Sequence, residues 1–416
     1  MSNPQSPCRS CGEALEVYCD LGNLSLTGFF PNPGIDIPRY PLALAKCSSC
    51  GLSQLYHQIP VDQLYGEEYG YESHLNSQMQ GHLIYAARSF ERKFELSDGD
   101  CVLDIASNDG TLLSGYISNK LVKVGIDPLA LSLNDKYPEH AMKIAQFFSA
   151  KAVREVTSNR FKVVTSFSVF YDLERPSEFI NSIEELLTED GVWILEQSYF
   201  YSMVETLSFD TICHEHLLYL RLGDIDKLLD KTSLEVFDVQ LNDANGGSFR
   251  VFVKRKLSPR PVSLYVDWLR QRELSWENEP IYSTSVFNSR VNLFRDSLRD
   301  LLFLFEKEGK TIIGFGASTK GNALLQFCDL DHSVIEFIVE VNERKFGKLT
   351  PGTQIPIQNE EYFRELFGRH DDFVGLILPW HLAESIIERM SGVTNRSLAK
   401  KIVLPLPRYP KVFEVS

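Results

Sequence analysis

The stretch that most constrains the fold is residues 101–113, which read CVLDIASNDGTLL. Its first part is apolar except for Asp104, as expected for a buried strand that ends beside a carboxylate. The turn that follows contains small residues that let the backbone approach a ligand: Ala106, Ser107, Asn108 and Gly110. Ligands of open α/β sheets bind at the carboxyl ends of the strands. We therefore expect this turn to form one wall of an active site; the alternative is an ordinary strand-to-helix turn with a capping Asp.

A second acidic position indicates the cofactor. The next predicted strand, residues 122–126, ends at Asp127, roughly 20 residues past the turn, where an acidic side chain reaches the ribose hydroxyls of an adenosine cofactor. A dinucleotide would need the G-x-G-x-x-G pattern, whereas this turn has one glycine and the carboxylates of Asp104 and Asp109. Negative charge suits a cationic sulfonium better than a pyrophosphate, so the sequence predicts S-adenosylmethionine. The predicted cofactor contacts are Asp104, Ala106, Ser107, Asn108, Gly110, Asp127, Gln146 and Ser168.

Length and charge limit the classes of function. With 416 residues, of which 44% are hydrophobic, the chain has enough apolar material for two or three domains. A formal charge of -14 disfavours a nucleic-acid partner, which would need clustered Lys and Arg. The first residues lack a basic segment followed by an apolar core, and no run of about 18 apolar residues occurs. We therefore expect a cytoplasmic protein without a membrane partner, as a monomer or small homo-oligomer.

The strongest local signal is a pair of C-x-x-C knuckles formed by Cys8, Cys11, Cys47 and Cys50. A glycine follows each knuckle, and each knuckle directs two thiolates to one point. Together they complete a tetrahedral site of four sulfurs, which is the closed geometry of a structural Zn²⁺ and leaves no position for substrate. The alternative is two unrelated thiol pairs or a redox dithiol.

Alternating strand and helix patterns follow the knuckles. Strands separated by helical segments are predicted near Cys101, Val122, Met142, Val163 and Trp193. This alternation is typical of a mostly parallel sheet, and a second strand, glycine turn and helix start occur at residues 311–322. The predicted fold is α/β: a class I methyltransferase-like Rossmann domain at residues 66–255, flanked by a small N-terminal zinc-binding domain at residues 1–65 and a C-terminal Rossmann-like α/β domain at residues 256–416.

The densest group of ionisable side chains is the run His214, Glu215 and His216. Histidine can accept a proton at neutral pH, so two of them around a Glu suggest general-base chemistry. Metal binding on a zincin helix would need H-E-x-x-H, and that motif is absent because position 218 is Leu. The alternative is that these residues are structural.

Motifs in a fixed order resemble one family. They are the two knuckles, EYGY at residues 68–71, LDIASNDG at 103–110, DTICHEHL at 210–217, GFGASTKGN at 314–322 and LTPGTQIPI at 349–357. Over nearly the whole chain this pattern resembles the zinc-containing, S-adenosylmethionine-dependent sugar C-methyltransferases that act on nucleotide-linked 4-keto-deoxysugars. The family commonly has Gly where Ala106 stands and His where Asp172 stands.

The resemblance implies roles for individual residues. His216 would be the base that removes the proton next to the ketone. The other residues that would lie at the catalytic centre or the sugar are His214, Glu215, Tyr69, Tyr71 and Asp172.

The carboxy-terminal glycine turn suits a diphosphate, because helix amides favour anions and Lys320 adds a point charge. The predicted contacts to the nucleotide sugar are Gly316, Ser318, Lys320 and Asn322. The alternative is a tight strand-to-helix turn with an exposed Lys.

The chemistry of carbon methylation agrees with these roles. A carbonyl next to the reacting carbon spreads negative charge onto oxygen as an enolate, so the reaction needs a base and an oxyanion donor. His216 can supply the first and the hydroxyl of Tyr71 the second. The remaining alternatives are an O- or N-methyltransferase acting on a nucleotide sugar, a non-catalytic nucleotide-sugar-binding protein, and a zinc-containing RNA methyltransferase, which the acidic charge disfavours.

Overall fold

The structure is a computed structural model that describes residues 6–59, 72–133, 136–367, 373–393 and 401–414. Within these ranges the chain forms three β-sheets, of four, seven and six strands. Strands and helices are numbered in chain order. Among the helices in these ranges, none is both long enough and apolar enough to cross a bilayer.

The amino-terminal sheet is antiparallel and has four strands: β1 (Leu15–Ser25), β2 (Arg39–Cys47), β3 (Ser53–Leu55) and β9 (Leu218–Tyr219). The first three strands lie around the cysteine knuckles, whereas β9 comes from far along the chain. Ser53 of β3 pairs with Tyr219, and Gln54 pairs with Leu218. The strand that completes this sheet therefore follows directly after the histidine motif.

The central sheet consists of β4 (Cys101–Ile105), β5 (Val122–Ile126), β6 (Met142–Ile144), β7 (Phe161–Phe167), β8 (Leu187–Ser198), β10 (Leu234–Asn242) and β11 (Ser248–Arg255). Its spatial order is β10-β11-β8-β7-β4-β5-β6. The strands from β4 to β8 are parallel to one another, and β11 runs antiparallel to both β8 and β10. The carboxyl ends of β4, β5 and β7 thus meet at one edge of the sheet, as the sequence predicts.

Helices and loops cover both faces of the central sheet. The helices of this part of the chain are α1 (Ser77–Lys93), α2 (Thr111–Ser114), α3 (Ala150–Val156), α4 (Pro176–Leu186), α5 (Phe200–Thr206) and α6 (Leu222–Leu229). Successive residues of β8 point to opposite faces: Val192 and Ile194 pack in one cluster with Phe90 of α1, while Trp193 and Leu195 belong to the larger core. A strand buried on both faces is expected to be apolar throughout, and β8 is apolar from Val192 to Leu195.

The carboxy-terminal sheet contains β12 (Thr311–Phe315), β13 (Phe337–Val339), β14 (Ile357–Gln358), β15 (Phe373–Ile377), β16 (Lys401–Leu404) and β17 (Lys411–Phe413). Its order is β14-β13-β12-β15-β16-β17, with only β17 antiparallel to its neighbour. The helices of this part are α7 (Leu264–Trp276), α8 (Thr284–Lys307), α9 (Thr319–Phe327), α10 (Glu360–Phe367) and α11 (Ala383–Val393).

The long helix α8 begins where its sequence signals a start. The Ser283 hydroxyl accepts the backbone N–H of Val286 at 3.4 Å, which satisfies one amide that the first turn leaves open. The helix buries a stripe with a spacing of three or four residues that includes Phe287, Val291 and Phe294.

These three sheets confirm the predicted α/β fold. The predicted domain boundaries after residues 65 and 255 stay predictions.

Candidate active site

The four knuckle cysteines converge on one point. Their sulfur atoms all lie within 4.8 Å of one another, and the Sγ atoms of Cys8 and Cys50, like those of Cys11 and Cys47, are 3.5 Å apart. A tetrahedron with Zn–S distances of about 2.3 Å places its sulfurs about 3.8 Å apart, so the cluster fits Zn²⁺. Four sulfurs fill the coordination shell, which makes the site structural.

The backbone of the second knuckle favours thiolate. Although burial raises the pKa of Cys47, hydrogen bonds from the N–H groups of Cys50 and Ser49, with smaller effects of the Cys11 and Cys50 thiols, lower that pKa to about 7. Each knuckle closes with the N–H of the following glycine bonded to the first cysteine's carbonyl, at 2.8 Å for Gly12 and 2.9 Å for Gly51. These glycines have φ values of 82° and 79°, in the left-handed region that other residues adopt only at a cost.

The predicted cofactor turn adopts a strained backbone at the end of β4. Ala106 has φ 55° and Asn108 has φ 49°, and Gly110 follows at φ 83°. A left-handed alanine costs roughly 1–2 kcal/mol relative to glycine, so the surroundings must hold this turn in place. The backbone N–H of Asn108 donates to Oδ2 of Asp127 at 3.1 Å, which joins the ends of β4 and β5.

Acidic side chains surround this turn. Asp104 is buried and accepts a hydrogen bond from Thr165 at 2.5 Å, and burial, with smaller effects of Asp127 and Asp109, raises the pKa of Asp104 to about 7. Burial also raises the pKa of Asp127. Several carboxyl groups close to one another disfavour a further negative charge and favour a cation. The residues present therefore fit S-adenosylmethionine better than a pyrophosphate.

The other predicted cofactor positions differ in their surroundings. The hydroxyl of Ser107 lies 2.5 Å from that of Tyr137, within the protein. Gln146 is exposed after β6. Ser168 follows β7 with φ 52° and accepts a hydrogen bond from Asn245 at 3.4 Å.

One residue beside the turn was not predicted. Both the backbone N–H and Nδ1 of His74 contact Oδ2 of Asp109, at 2.9 and 2.8 Å, which fixes the start of the α1 region on the cofactor turn.

His216 has the geometry of a neutral acceptor. Its Nδ1 lies 3.0 Å from the carbonyl oxygen of Thr211, and because a carbonyl only accepts, we assign the ring proton to Nδ1 and the free lone pair to Nε2. Burial, followed by the positive charge of Lys320, lowers the pKa of His216 to about 3. The ring packs against Tyr171 with centroids 4.2 Å apart. His216 is therefore unprotonated at neutral pH and able to accept a proton.

The neighbours of His216 in the motif face the amino-terminal sheet. Oε2 of Glu215 accepts the hydroxyl of Thr27 at 3.1 Å, and burial raises the pKa of this carboxyl group. Nε2 of His214 lies 3.4 Å from the carbonyl oxygen of Tyr40, and burial lowers the pKa of His214 to about 4. The three ionisable residues thus have different environments, and among them His216 is the one whose pKa the charge of Lys320 lowers.

The turn before α9 contacts the loop that joins β10 to β11. The ammonium group of Lys320 donates to the carbonyl oxygen of Asn245 at 2.8 Å. Burial lowers the pKa of Lys320, while the charge of Asp210 acts in the opposite direction. Asp210 itself is buried and accepts the indole N–H of Trp380 at 3.0 Å. Lys320 therefore lies at a junction between α9 and the loop that joins β10 to β11, close enough to influence both Asp210 and His216.

The remaining predicted substrate positions belong to this junction or lie outside the described residues. Ser318 caps α9 by accepting the N–H of Gly321 at 3.0 Å, and Asn322 donates to the carbonyl of Thr27 at 2.7 Å. Gly316 has φ 82°, and a Cβ there would lie 2.6 Å from Pro379. Asp172 ends the turn that contains Tyr171. Tyr69 and Tyr71 fall outside the described residues.

Sequence reasoning missed several members of the junction: Asn245, Trp380 and His381. The Asn245-Gly246 pair is typical of a turn, whereas nothing in the sequence around His381 indicates a place near Lys320. Its Nδ1 is buried and has no hydrogen-bond partner among the described residues. Burial, followed by the charge of Lys320, lowers the pKa of His381 to about 3, so this ring is also neutral.

Two family models match parts of the chain. Residues 8–65 match the model of a zinc-binding domain, and residues 243–407 match the C-methyltransferase C-terminal domain. The chain is 30% identical over 415 residues to the C-methyltransferase NovU of Streptomyces niveus, which covers 97% of each chain.

Solved structures are more distant. The plantazolicin methyltransferase BpumL aligns to 43% of this chain and 84% of its own with 12% identity and a TM-score of 0.33. The N-methyltransferase NodS from Bradyrhizobium japonicum aligns to 43% of this chain and 95% of its own with 13% identity and a TM-score of 0.30. These two similarities are too low to carry an argument. The relationship to NovU extends over almost the full length of both chains: the chain belongs to the C-methyltransferase family and has an amino-terminal zinc-binding domain.

Proposed function

We propose that this enzyme methylates the carbon next to the ketone of a nucleotide-linked 4-keto-deoxysugar, and that His216 removes the proton from that carbon. The observation that carries the proposal is the state of His216: a neutral ring whose Nδ1 is held by the Thr211 carbonyl, leaving Nε2 as the acceptor. A methyl acceptor that already has a lone pair on oxygen or nitrogen needs less help from a base than a carbon acid does.

The surroundings of His216 support an enolate. When Nε2 accepts the proton, the carbanion charge moves to the ketone oxygen, and positive charge or hydrogen-bond donors near that oxygen stabilise it. The nearby cation is Lys320, whose ammonium donates to the Asn245 carbonyl and whose charge lowers the pKa of His216. Tyr71, outside the described residues, remains the hydroxyl donor that we propose for this oxygen.

A low pKa has a cost that the mechanism must offset. An imidazole with a pKa near 3 is a weak base, and the proton that it accepts creates an imidazolium beside Lys320. An enolate next to the ring supplies the opposite charge at the moment of proton transfer. The imidazolium and the enolate attract each other, so forming both together costs less free energy than forming either alone. Deprotonation by His216 therefore depends on a bound, polarised ketone.

The methyl donor site and His216 lie on connected segments. S-adenosylmethionine supplies an electrophilic methyl group that moves in line from sulfur to carbon. The task of the protein is then to hold the two ligands at reacting distance. Asn108 and Asp127 fix the donor turn, and Ser168 at the end of β7 contacts Asn245, whose carbonyl binds Lys320. These contacts connect the donor edge of the sheet to the carboxy-terminal unit.

We assign Lys320 and the start of α9 to the diphosphate side of the substrate. An ammonium has three N–H donors, and Asn245 accepts one of them. The remaining donors and the amino end of α9 favour an anion at the domain junction. The sugar would then lie between this junction and the donor turn, with Asp172, Glu215 and Tyr69 as further contacts.

Product analysis tests the proposal. A panel of 4-keto nucleotide sugars is incubated with the protein and S-adenosylmethionine, and mass spectrometry follows the gain of one methylene mass. NMR of the product then locates the methyl group, which we expect on the carbon next to the ketone. A methyl group on oxygen or nitrogen would replace this function with the O- or N-methyltransferase alternative. Binding of the sugars without any gain of mass would indicate a binding protein.

A further inference from the structure

The segment that carries His216 is attached to the amino-terminal sheet. The backbone N–H of Leu55 donates to the carbonyl of Leu217 at 2.9 Å, immediately after the histidine. Leu218 then pairs with Gln54 in the antiparallel ladder between β3 and β9. The backbone position of His216 is therefore set by β3, which begins three residues after the last knuckle cysteine.

The side chain of Gln54 binds the other knuckle. It is completely buried, its Oε1 accepts the backbone N–H of Arg9 at 2.7 Å, and its Nε2 donates to the carbonyl of Pro7 at 3.1 Å. These two partners flank Cys8 in the sequence. One residue thus clamps the backbone on both sides of a cysteine with its side chain, and pairs with the strand after His216 through its main chain.

The second knuckle is tied to the residues after β9. The guanidinium of Arg221 donates to the carbonyl of Gly51 at 2.9 Å, and the ammonium of Lys227 donates to the carbonyl of Cys50 at 2.6 Å. Arg221 is itself fixed by two bonds to Asp224, at 3.0 and 2.8 Å. Both knuckles therefore hold the chain that runs from His216 into α6.

We propose that Gln54 is a positioning residue that couples the geometry of the cysteine cluster to His216, so that metal binding holds the His216 ring in its catalytic position. The proposal rests on the role of His216 proposed above. It requires the metal to order β3 and β9 together, and it assigns Gln54 to position the catalytic ring without contacting the substrate.

The test compares Gln54→Met with wild-type holoenzyme. Methionine has a similar length, so the core stays filled, and it removes the side-chain bonds to Arg9 and Pro7. We expect hydrogen–deuterium exchange of the 217–219 amides to rise roughly ten- to a hundred-fold, because two hydrogen bonds are lost. The matched control is Gln240→Met, at an exposed position on β10, which should leave exchange unchanged.

Further measurements separate positioning from general damage. In Gln54→Met, kcat for deuterium incorporation into the keto sugar should fall roughly tenfold or more, while KM and S-adenosylmethionine affinity stay within about threefold. Treating the wild type with a chelator, with zinc content followed by elemental analysis, should raise exchange at 217–219 and leave β5 protected.

Two results would overturn the inference. One is wild-type exchange at 217–219 in Gln54→Met. The other is loss of zinc from the wild type with no change in exchange at these amides. The exchange measurement does not depend on turnover, so it still decides the inference if the enzyme fails to act on keto sugars. That failure would count against the proposed function alone.

Discussion

Replacing His216 by Asn tests the proposed base with little change in structure. The side-chain amide of Asn can place an N–H near the position of Nδ1 and keep the hydrogen bond to the Thr211 carbonyl, which the histidine makes at 3.0 Å. It has no counterpart of Nε2. The substitution therefore removes the proton acceptor while leaving the contact that orients the segment.

The expected loss follows from the protonation state. Since the pKa of His216 is lowered to about 3, the ring is fully in the base form at neutral pH, and the Asn variant should lose the whole contribution of a general base, roughly 10²- to 10⁴-fold in kcat. The direction of this pKa shift also determines how the rate depends on pH. A base with a lowered pKa stays unprotonated until the pH approaches that value, so His216 should produce no fall in rate near pH 6.5, the ordinary pKa of histidine.

The assay is deuterium exchange at the carbon next to the ketone, followed by NMR in deuterated water without the methyl donor. His332→Asn is the matched control, because that side chain is exposed and outside the site, and it should keep the exchange activity. Exchange at the wild-type rate in His216→Asn would refute the assignment. So would a loss of rate in the wild type centred on pH 6.5.

Three further substitutions test the rest of the site and its support. Asp127→Asn should weaken S-adenosylmethionine binding by about ten- to a hundred-fold in calorimetry, because the carboxylate loses its charge-assisted contacts; unchanged affinity would remove Asp127 from the donor site. Lys320→Met should weaken binding of the nucleotide diphosphate by a similar factor and leave donor affinity unchanged, and equal diphosphate binding would assign the sugar to another anchor. Arg221→Met should lower the unfolding free energy by about 3–5 kcal/mol in denaturant titrations, because Asp224 stays buried without its partner. Arg270→Met, which breaks a similar bidentate pair at a more exposed position, should cost about 1 kcal/mol or less, and equal losses would contradict the argument from burial.

Local chemistry explains what the sequence predicted well. The knuckle spacing needs only four cysteines and two turns, so it specifies a tetrahedral cluster without knowledge of the rest of the fold. The strand at residues 101–105 was predictable because its apolar residues and the turn that follows are consecutive in the sequence. The acidic turn with Asp127 was found for the same reason, since the ends of parallel neighbouring strands meet at one edge.

The parts that could not be predicted depend on contacts between distant segments. Nothing in Leu218 and Tyr219 distinguishes a strand of the central sheet from one that joins β3. The bond from Lys320 to the Asn245 carbonyl depends on how the central and carboxy-terminal sheets are placed, and no spacing rule specifies it. His381 reaches the junction for the same reason. Such positions follow from tertiary packing, which local pattern does not encode.

The return of β9 to the amino-terminal sheet also affects how the chain is made. During synthesis, β1 to β3 leave the ribosome long before residues 218–219 exist, so β3 stays an unpaired edge while the strands from β4 to β8 are produced. A chain truncated before β9 would keep that edge open, and its unpaired backbone groups would favour pairing with a second copy. Pairing of β3 with β9 closes a long loop, which makes it a late event. His216, next to β9, would therefore reach its position only after β9 has paired with β3 and covered the open edge of that strand.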